Sequence, residues 1–158
     1  MIYNPEEEPL HFVLHEGPGK LAWGNRYINL QAKSLGYNVL VLTADTHQDQ
    51  DGSVARTGIN LLYYPTVDDA WLAEQPFFRK GVIDRAKTLA TGVRNGHRVL
   101  ITCAEGYNRS ALLAARVLFE LKGWSGISIL AAVRQLRPQA LFNAGFREWV
   151  LEWGDKRD

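Results

Sequence analysis

The 158-residue sequence contains a single cysteine, Cys103, and this scarcity excludes two kinds of small protein. One cysteine cannot form an internal disulfide, and it cannot supply the thiolates of a cysteine-rich zinc site. The four histidines show no metal-ligand spacing either. The lone thiol is therefore either a small buried packing residue or a reactive group that requires a reducing compartment.

The chain also lacks an excess of charge, a long apolar run and internal repeats. Its 18 basic and 17 acidic residues leave a net charge of +1, so no global field attracts nucleic acid or an anionic membrane surface. No stretch reaches the ~18 apolar residues of a membrane span, and the N-terminal segment lacks the pattern of a secretory signal. We expect a cytoplasmic protein with a single domain over residues 1–158. Neither nucleic acid nor membrane is expected as a partner, and the oligomeric state stays open.

Strand patterns alternate with helix patterns along the chain, which is typical of a mostly parallel α/β sheet flanked by helices. The strand patterns are 11–14, 20–23, 39–42, 59–64 and 99–102, and the helix patterns are 25–34, 76–94, 110–121, 125–137 and one that begins at Asn143. The polar, glycine-punctuated segment 46–57 predicts a loop. The pattern at 110–121 is apolar almost all round, which indicates a central helix buried against the sheet.

The lone cysteine stands where a predicted strand meets a predicted helix, in the segment Cys-Ala-Glu-Gly-Tyr-Asn-Arg-Ser (103–110). Successive backbone N–H groups in such a loop form a concave anion site, and the helix N-terminus adds unpaired donors and a positive dipole end. Gly106 permits a backbone conformation that other residues resist, and Arg109 offers two parallel donors to phosphate oxygens. A thiol in this electropositive setting is suited to act as a thiolate nucleophile toward a bound phosphate.

This segment resembles the signature of the cysteine-based protein tyrosine phosphatases, Cys-x5-Arg-Ser/Thr. The chain length and the run Glu105-Gly106-Tyr107 resemble the small dual-specificity subgroup. A weaker resemblance to the same subgroup extends over segments 21–25, 35–36, 132–137 and 142–146. The resemblance implies the three-layer fold of a dual-specificity phosphatase. It also implies hydrolysis of phosphotyrosine on a protein or peptide, with phosphoserine or phosphothreonine added if the cleft is shallow. The implied reaction passes through a phosphocysteine intermediate and needs no metal or organic cofactor.

The same resemblance implies roles for individual residues. Cys103 is the nucleophile, Arg109 binds the phosphate, and Ser110 helps the thiolate leave in the second step. The expected phosphate-binding loop consists of Ala104, Glu105, Gly106, Tyr107 and Asn108. Arg137 matches an arginine that in some relatives binds a second phosphate or acidic group, and the alternative is a solvated arginine at a helix end.

The family's general acid lies on a loop upstream of the cysteine, and residues 67–71 (Val-Asp-Asp-Ala-Trp) occupy that place. Such an acid protonates the leaving oxygen and can later activate water. Asp69, two residues before Trp71, is the predicted acid, and Asp68 is the second candidate. The structural alternative is two solvated aspartates in a turn.

Departures from the family pattern leave other functions open. Thr102 stands where the family usually has a histidine that orders the loop, so a catalytically weak phosphate-binding pseudophosphatase is one alternative. Glu105 replaces the basic residues of relatives that cleave inositol lipids, which disfavours a phosphoinositide phosphatase. Asn108 before Arg109 also occurs in RNA 5′-triphosphatase relatives, although the near-neutral charge argues against that activity. A rhodanese-like or arsenate enzyme shares such a loop but needs no general acid.

Overall fold

The computed structural model describes residues 9–44, 49 and 51–157. In these ranges five strands form one sheet, namely β1 (His11–Glu16), β2 (Lys20–Asn25), β3 (Val39–Leu42), β4 (Asn60–Tyr63) and β5 (Arg98–Cys103). Their order across the sheet is β1-β2-β5-β3-β4, and only the β1–β2 pair is antiparallel. The prediction of a mostly parallel α/β sheet is confirmed.

Helices cover one face of this sheet. Within the described ranges they are α1 (Pro76–Arg94), α2 (Arg109–Lys122), α3 (Gly126–Leu136) and α4 (Ala144–Leu151). The helix predicted at 110–121 is the central one, and its residues from Ser110 to Phe119 are all buried. No helix in the described part of the chain is long and apolar enough to cross a membrane.

The inner strands are apolar on both faces because both faces are covered. In β5, Val99 and Ile101 pack into the core beneath the helices, whereas Leu100 points into a smaller core on the opposite face. That second core is closed by the segment between β2 and β3, including Ile28 and Tyr37. The chain therefore has the three layers that the resemblance implied.

The segment predicted as a helix over 25–34 is instead a 3₁₀ helix, Arg26–Gln31, followed by turns. Asn25 caps it as predicted, since its side chain accepts the N–H of Tyr27 at 3.0 Å. Leu35 has a helical spacing from Ile28 and Ala32, but it is 46% exposed whereas those two residues are buried. The apolar spacing of such a short segment is compatible with either helix type, and 3₁₀ geometry is common in short connecting pieces.

Two other connections also differ in detail from the predictions. The predicted loop 46–57 falls partly outside the described residues, and its last three residues form a 3₁₀ turn, Ala55–Thr57. A further 3₁₀ turn that the sequence reading did not predict, Ala70–Glu74, lies between β4 and α1. This second turn decides which of two neighbouring aspartates faces the functional site.

The parallel strands β2, β3 and β5 present their carboxyl ends at the same edge of the sheet. Cys103 ends β5 opposite Asn25 of β2, and Thr102 pairs with Leu42 of β3. Loops at this edge are where ligands bind in open α/β sheets. The loop from Cys103 into α2 thus starts from a central strand at that edge.

Candidate active site

The loop 103–108 folds its backbone around the sulfur of Cys103. The Gly106 N–H donates to Sγ at 3.2 Å, and the hydroxyl of Ser110, in the first turn of α2, lies 3.1 Å from the same sulfur. Cys103 itself is 2% exposed, so its thiol lies at the base of the loop. An N–H group and an O–H group are thus placed where a negatively charged sulfur needs donors.

The Ser110 hydroxyl lies between two acceptors. It is 3.1 Å from the sulfur of Cys103 and 3.2 Å from the carbonyl oxygen of Gly24. A hydroxyl has one proton, so it donates to one of these acceptors at a time. When the sulfur is a neutral thiol it can itself donate to the hydroxyl, and when it is a thiolate the hydroxyl can turn toward it.

Gly106 is required in this loop by conformation and by space. Its φ of +75° is in the left-handed region that favours glycine, and a Cβ there would lie 2.9 Å from the carbonyl carbon of Gly24. Its own carbonyl accepts the indole N–H of the buried Trp23 at 3.0 Å. This close approach fastens the loop to the end of β2.

A small cavity of about 90 Å³ lies over the loop. It is lined by Asp68, Cys103, Glu105, Tyr107, Asn108, Arg109 and Phe142. That volume exceeds what a single water molecule needs, which suits a compact anion. Arg109 is the first residue of α2, and its side chain makes no hydrogen bond or ion pair with another described residue. Its donors are therefore available to such an anion.

Asp68, and not the predicted Asp69, lines this cavity. The Asp69 carboxylate accepts the N–H of Trp71 at 2.9 Å and thereby caps the 3₁₀ turn Ala70–Glu74. Its backbone is extended, so neighbouring side chains point in opposite directions. The spacing to Trp71 that favoured Asp69 in the sequence is the spacing of an N-cap and its donor.

Asp68 is held by two asparagine side chains. Its Oδ2 accepts from Nδ2 of Asn108 at 3.0 Å, and its Oδ1 accepts from Nδ2 of Asn143 at 2.7 Å. Asn108 belongs to the loop after β5, and Asn143 is the N-cap of α4. The sequence identified Asn143 only as a helix cap, so its contact with the site was missed.

Arg137 is not the solvated arginine at a helix end that was its alternative in the sequence, and its binding of a second phosphate or acidic group stays a prediction. It is 7% exposed, its Nη1 donates to the carbonyl of Glu105 at 2.8 Å, and its guanidinium lies 3.7 Å from the ring centre of Tyr107. The residue leaves α3 with an extended backbone, which removes it from the solvated helix end. Arg137 therefore supports the loop through Glu105 and Tyr107.

Thr102 is fully buried and is hydrogen-bonded to the segments that follow β2 and β3. Its hydroxyl donates to Oδ1 of Asn29 at 2.7 Å. Its carbonyl accepts both the N–H and the hydroxyl of Thr43, at 2.8 and 2.9 Å. Neutral hydrogen bonds thus surround the position before the cysteine. Asn29 and Thr43 were missed in the sequence, although each is a polar residue within or just after an apolar pattern.

The rim of the cavity carries one weak ion pair. Nη1 of Arg26 lies 3.6 Å from Oε1 of the exposed Glu105, and Nη2 of Arg26 donates to the hydroxyl of Tyr27 at 2.7 Å. An exposed pair of this kind contributes about 0–1 kcal/mol to stability. Among the described residues no cluster of histidine, cysteine, aspartate or glutamate could hold a metal ion.

A cysteine at the end of a central strand, an arginine at the start of the next helix and a nearby carboxylate define the arrangement of a cysteine-based phosphatase. The family model "Dual specificity phosphatase, catalytic domain" matches residues 29–156. The chain belongs to that family, as the resemblance of its loop implied. No curated protein sequence matches the chain.

Solved structures share this fold at low sequence identity. Human DUSP28 is 21% identical with a TM-score of 0.69, and the match covers 90% of this chain and 91% of that one. A mouse putative dual specificity phosphatase, solved with zinc tungstate, is 22% identical with a TM-score of 0.69, covering 95% of this chain and 90% of that one. PTPMT1 in complex with PI(5)P is 15% identical with a TM-score of 0.68, covering 91% and 94%. These similarities establish the common fold.

Proposed function

We propose that this chain is a protein phosphatase that hydrolyses phosphotyrosine, and with it phosphoserine or phosphothreonine, through a phosphocysteine intermediate. The observation that carries the proposal is the convergence of Cys103, Arg109 and Asp68 on one cavity of about 90 Å³. Three chain segments contribute these groups: the end of β5, the start of α2 and the loop after β4. Each group has a distinct role in phosphoryl transfer.

In the first step the phosphate binds Arg109, the free N–H groups of the loop and the positive end of α2. The Cys103 thiolate attacks phosphorus while the bond from phosphorus to the leaving oxygen breaks. Asp68 gives its proton to that oxygen, so the alcohol or phenol departs neutral. Most of the catalytic effect comes from positioning and from charge stabilisation on the equatorial oxygens.

In the second step water attacks the phosphocysteine. The Asp68 carboxylate accepts a proton from the water, the sulfur–phosphorus bond breaks, and inorganic phosphate is released. Ser110, whose hydroxyl is 3.1 Å from the sulfur, donates to the departing thiolate. No metal or organic cofactor takes part in either step.

The proposal assigns the acid role to Asp68 instead of Asp69. Support comes from the cavity lining and from the hydrogen bonds that tie Asp68 to the phosphate loop. The carboxylate of Asp69 is occupied as an N-cap. We therefore assign Asp69 a structural role in the loop formed by residues 67–71, which we call the acid loop.

Protein substrates are favoured over inositol lipids by the charge around the cavity. Glu105 lines it and is exposed, so a polyanionic headgroup would meet a carboxylate beside the reactive phosphate. Tyr107 and Phe142 also line the cavity, with ring centres 5.6 Å apart, and offer apolar surface to a phenyl leaving group. A reducing compartment such as the cytoplasm would keep the thiol active.

The test is hydrolysis of 4-nitrophenyl phosphate by the wild type and by Cys103→Ser, between about pH 5 and 8. We expect turnover by the wild type, none by Cys103→Ser, and inhibition of the wild type by vanadate. Vanadate binding without turnover would refute the enzyme and support a pseudophosphatase. A panel of phosphopeptides, phosphoinositides and 5′-triphosphorylated RNA then identifies the substrate class, and a preference for RNA or lipid would refute the protein assignment.

A further inference from the structure

We propose that Asn143, together with Asn108, is a positioning residue that holds Asp68 at the reaction centre before substrate binds. This inference rests on the proposed function, since it concerns the group that serves there as acid and base. It makes the N-terminus of α4 part of the catalytic apparatus. Neither asparagine needs to touch the substrate for this role.

The loop that carries Asp68 has little apolar packing of its own. Val67 and Trp71, on either side of Asp68 and Asp69, are 65% and 62% exposed. Burial therefore does not fix the direction of the Asp68 carboxylate. The contacts that direct the carboxylate itself are polar and come from other segments.

Those contacts form a closed ring of three residues. Each oxygen of Asp68 accepts one amide N–H, from Asn108 at 3.0 Å and from Asn143 at 2.7 Å. The backbone N–H of Asn143 donates to Oδ1 of Asn108 at 2.9 Å and closes the ring. The ring joins the acid loop, the phosphate loop and the start of α4.

Both amide groups are fixed in orientation by their acceptor atoms. Oδ1 of Asn108 accepts from Asn143, and Oδ1 of Asn143 accepts the N–H of Phe146 at 3.1 Å as the cap of α4. In each case the oxygen is engaged, so the NH₂ group points to Asp68. If either amide group were rotated by 180°, its oxygen would face Asp68 and its NH₂ group would face a backbone N–H. Both of its hydrogen bonds would then be lost.

This arrangement leaves Asp68 able to exchange a proton. A carboxylate has about four lone-pair sites, and the two amide donors use one site on each oxygen. The remaining site on an oxygen facing the cavity can carry the proton that passes to the leaving group. Misdirecting the carboxylate should therefore harm the reactions that need this proton most, which are those with poor leaving groups.

The matched variants separate this role from helix capping. Asn143→Ser keeps a side-chain oxygen that can cap α4 but removes the NH₂ group that contacts Asp68. Asn60→Ser is the control. Asn60 is an exposed asparagine at the amino end of the parallel strand β4, whereas the site lies at the carboxyl ends of the parallel strands. Both variants are compared with the wild type and with Asp68→Asn.

The measurements are kcat and KM on phenyl phosphate, a poor leaving group, and on 4-nitrophenyl phosphate, a good one. For Asn143→Ser we expect kcat/KM on phenyl phosphate, which reports the first step alone, to fall at least about tenfold, a fraction of the general-acid effect. On 4-nitrophenyl phosphate we expect kcat/KM to change by less than about twofold, with an unchanged urea midpoint. Asn60→Ser should match the wild type on both esters.

The outcomes distinguish this inference from the proposed function. If the wild type shows no turnover that is lost in Cys103→Ser, the proposed function is refuted, and this inference is refuted with it. If the wild type is active and Asp68→Asn is selectively slow on phenyl phosphate, the mechanism stands, and an unaffected Asn143→Ser then overturns the inference alone. Equal losses of kcat/KM on both esters would also overturn it, because such losses would not depend on the proton that the leaving group needs.

Discussion

Replacing two adjacent aspartates separately gives the sharpest test of how the acid loop is arranged. Asp68→Asn keeps the size of the side chain but removes the transferable proton and one of the two acceptor oxygens that the amides of Asn108 and Asn143 now contact. Loss of a general acid or base costs typically 10²–10⁴-fold in rate. We therefore expect kcat on phenyl phosphate to fall by about 10²-fold or more.

Asp69→Asn should behave differently, because its contact requires only an oxygen acceptor. An asparagine at this position can accept the N–H of Trp71 as Asp69 does at 2.9 Å, so activity and stability should stay close to the wild type. Asp69→Ala removes the cap, and we expect a loss of about 0.5–1 kcal/mol in the free energy of unfolding, at the low end because the turn is exposed. Its kcat should fall much less than that of Asp68→Asn.

The assay is steady-state hydrolysis of phenyl and 4-nitrophenyl phosphate by all three variants, with urea unfolding followed by tryptophan fluorescence. In variants that keep the true acid, kcat/KM should depend only weakly on the leaving group. In a variant that lacks it, kcat/KM should be much lower on phenyl phosphate than on 4-nitrophenyl phosphate. An Asp69→Asn enzyme that is slow on phenyl phosphate but normal on 4-nitrophenyl phosphate would refute the reasoning. It would mean that the loop rearranges and brings the capping residue to the phosphate.

Three further predictions concern residues around the loop. Gly106→Ala should lower kcat/KM by about tenfold or more, and it should also lower the urea midpoint. A left-handed φ costs a residue with a side chain roughly 1–2 kcal/mol, and the new Cβ would lie 2.9 Å from the Gly24 carbonyl carbon. Arg137→Lys should lower the melting temperature, and it should lower kcat/KM on mono- and doubly phosphorylated peptides alike, since it weakens a support of the loop. A KM increase restricted to doubly phosphorylated peptides would instead support the second-phosphate role. Burial, followed by the charge of Glu16, raises the pKa of Tyr37 to about 12, so its contribution to stability is present below about pH 10 and declines as the pH rises toward 12. Urea unfolding at pH 9 and 11.5 should show a smaller loss for Tyr37→Phe than for the wild type, and an equal loss would contradict the assignment.

The strands and the nucleophile loop were predictable because their signals are local. β3 and β5 are covered on both faces, so Val39–Leu42 and the core of β5 are continuous apolar runs. The loop is recognisable because the spacing from Cys103 to Arg109 places both at the junction of a strand and a helix. In these places the chemistry depends on neighbours in sequence.

The parts that were not predictable depend on contacts between distant segments. Asp68 and Asp69 are adjacent in the sequence, and Asp68 is held at the cavity by Asn108 and Asn143, which lie 40 and 75 residues farther along the chain. Arg137 was placed correctly at the end of a helix. Its direction depends on the carbonyl of Glu105 and the ring of Tyr107, which no pattern around Arg137 indicates.

The central position of β5 has a consequence for how the molecule opens. β5 is hydrogen-bonded to β2 on one side and to β3 on the other, so its amides can exchange with solvent only when the sheet itself separates. The acid loop has no strand partner at residues 67–69, so it can open while the sheet stays closed. Cys103, the proposed nucleophile, is thus attached to the part of the fold that opens last, and Asp68, the proposed acid, to a part that opens early. Partial unfolding near the melting temperature would therefore impair proton transfer before it disrupts phosphate binding.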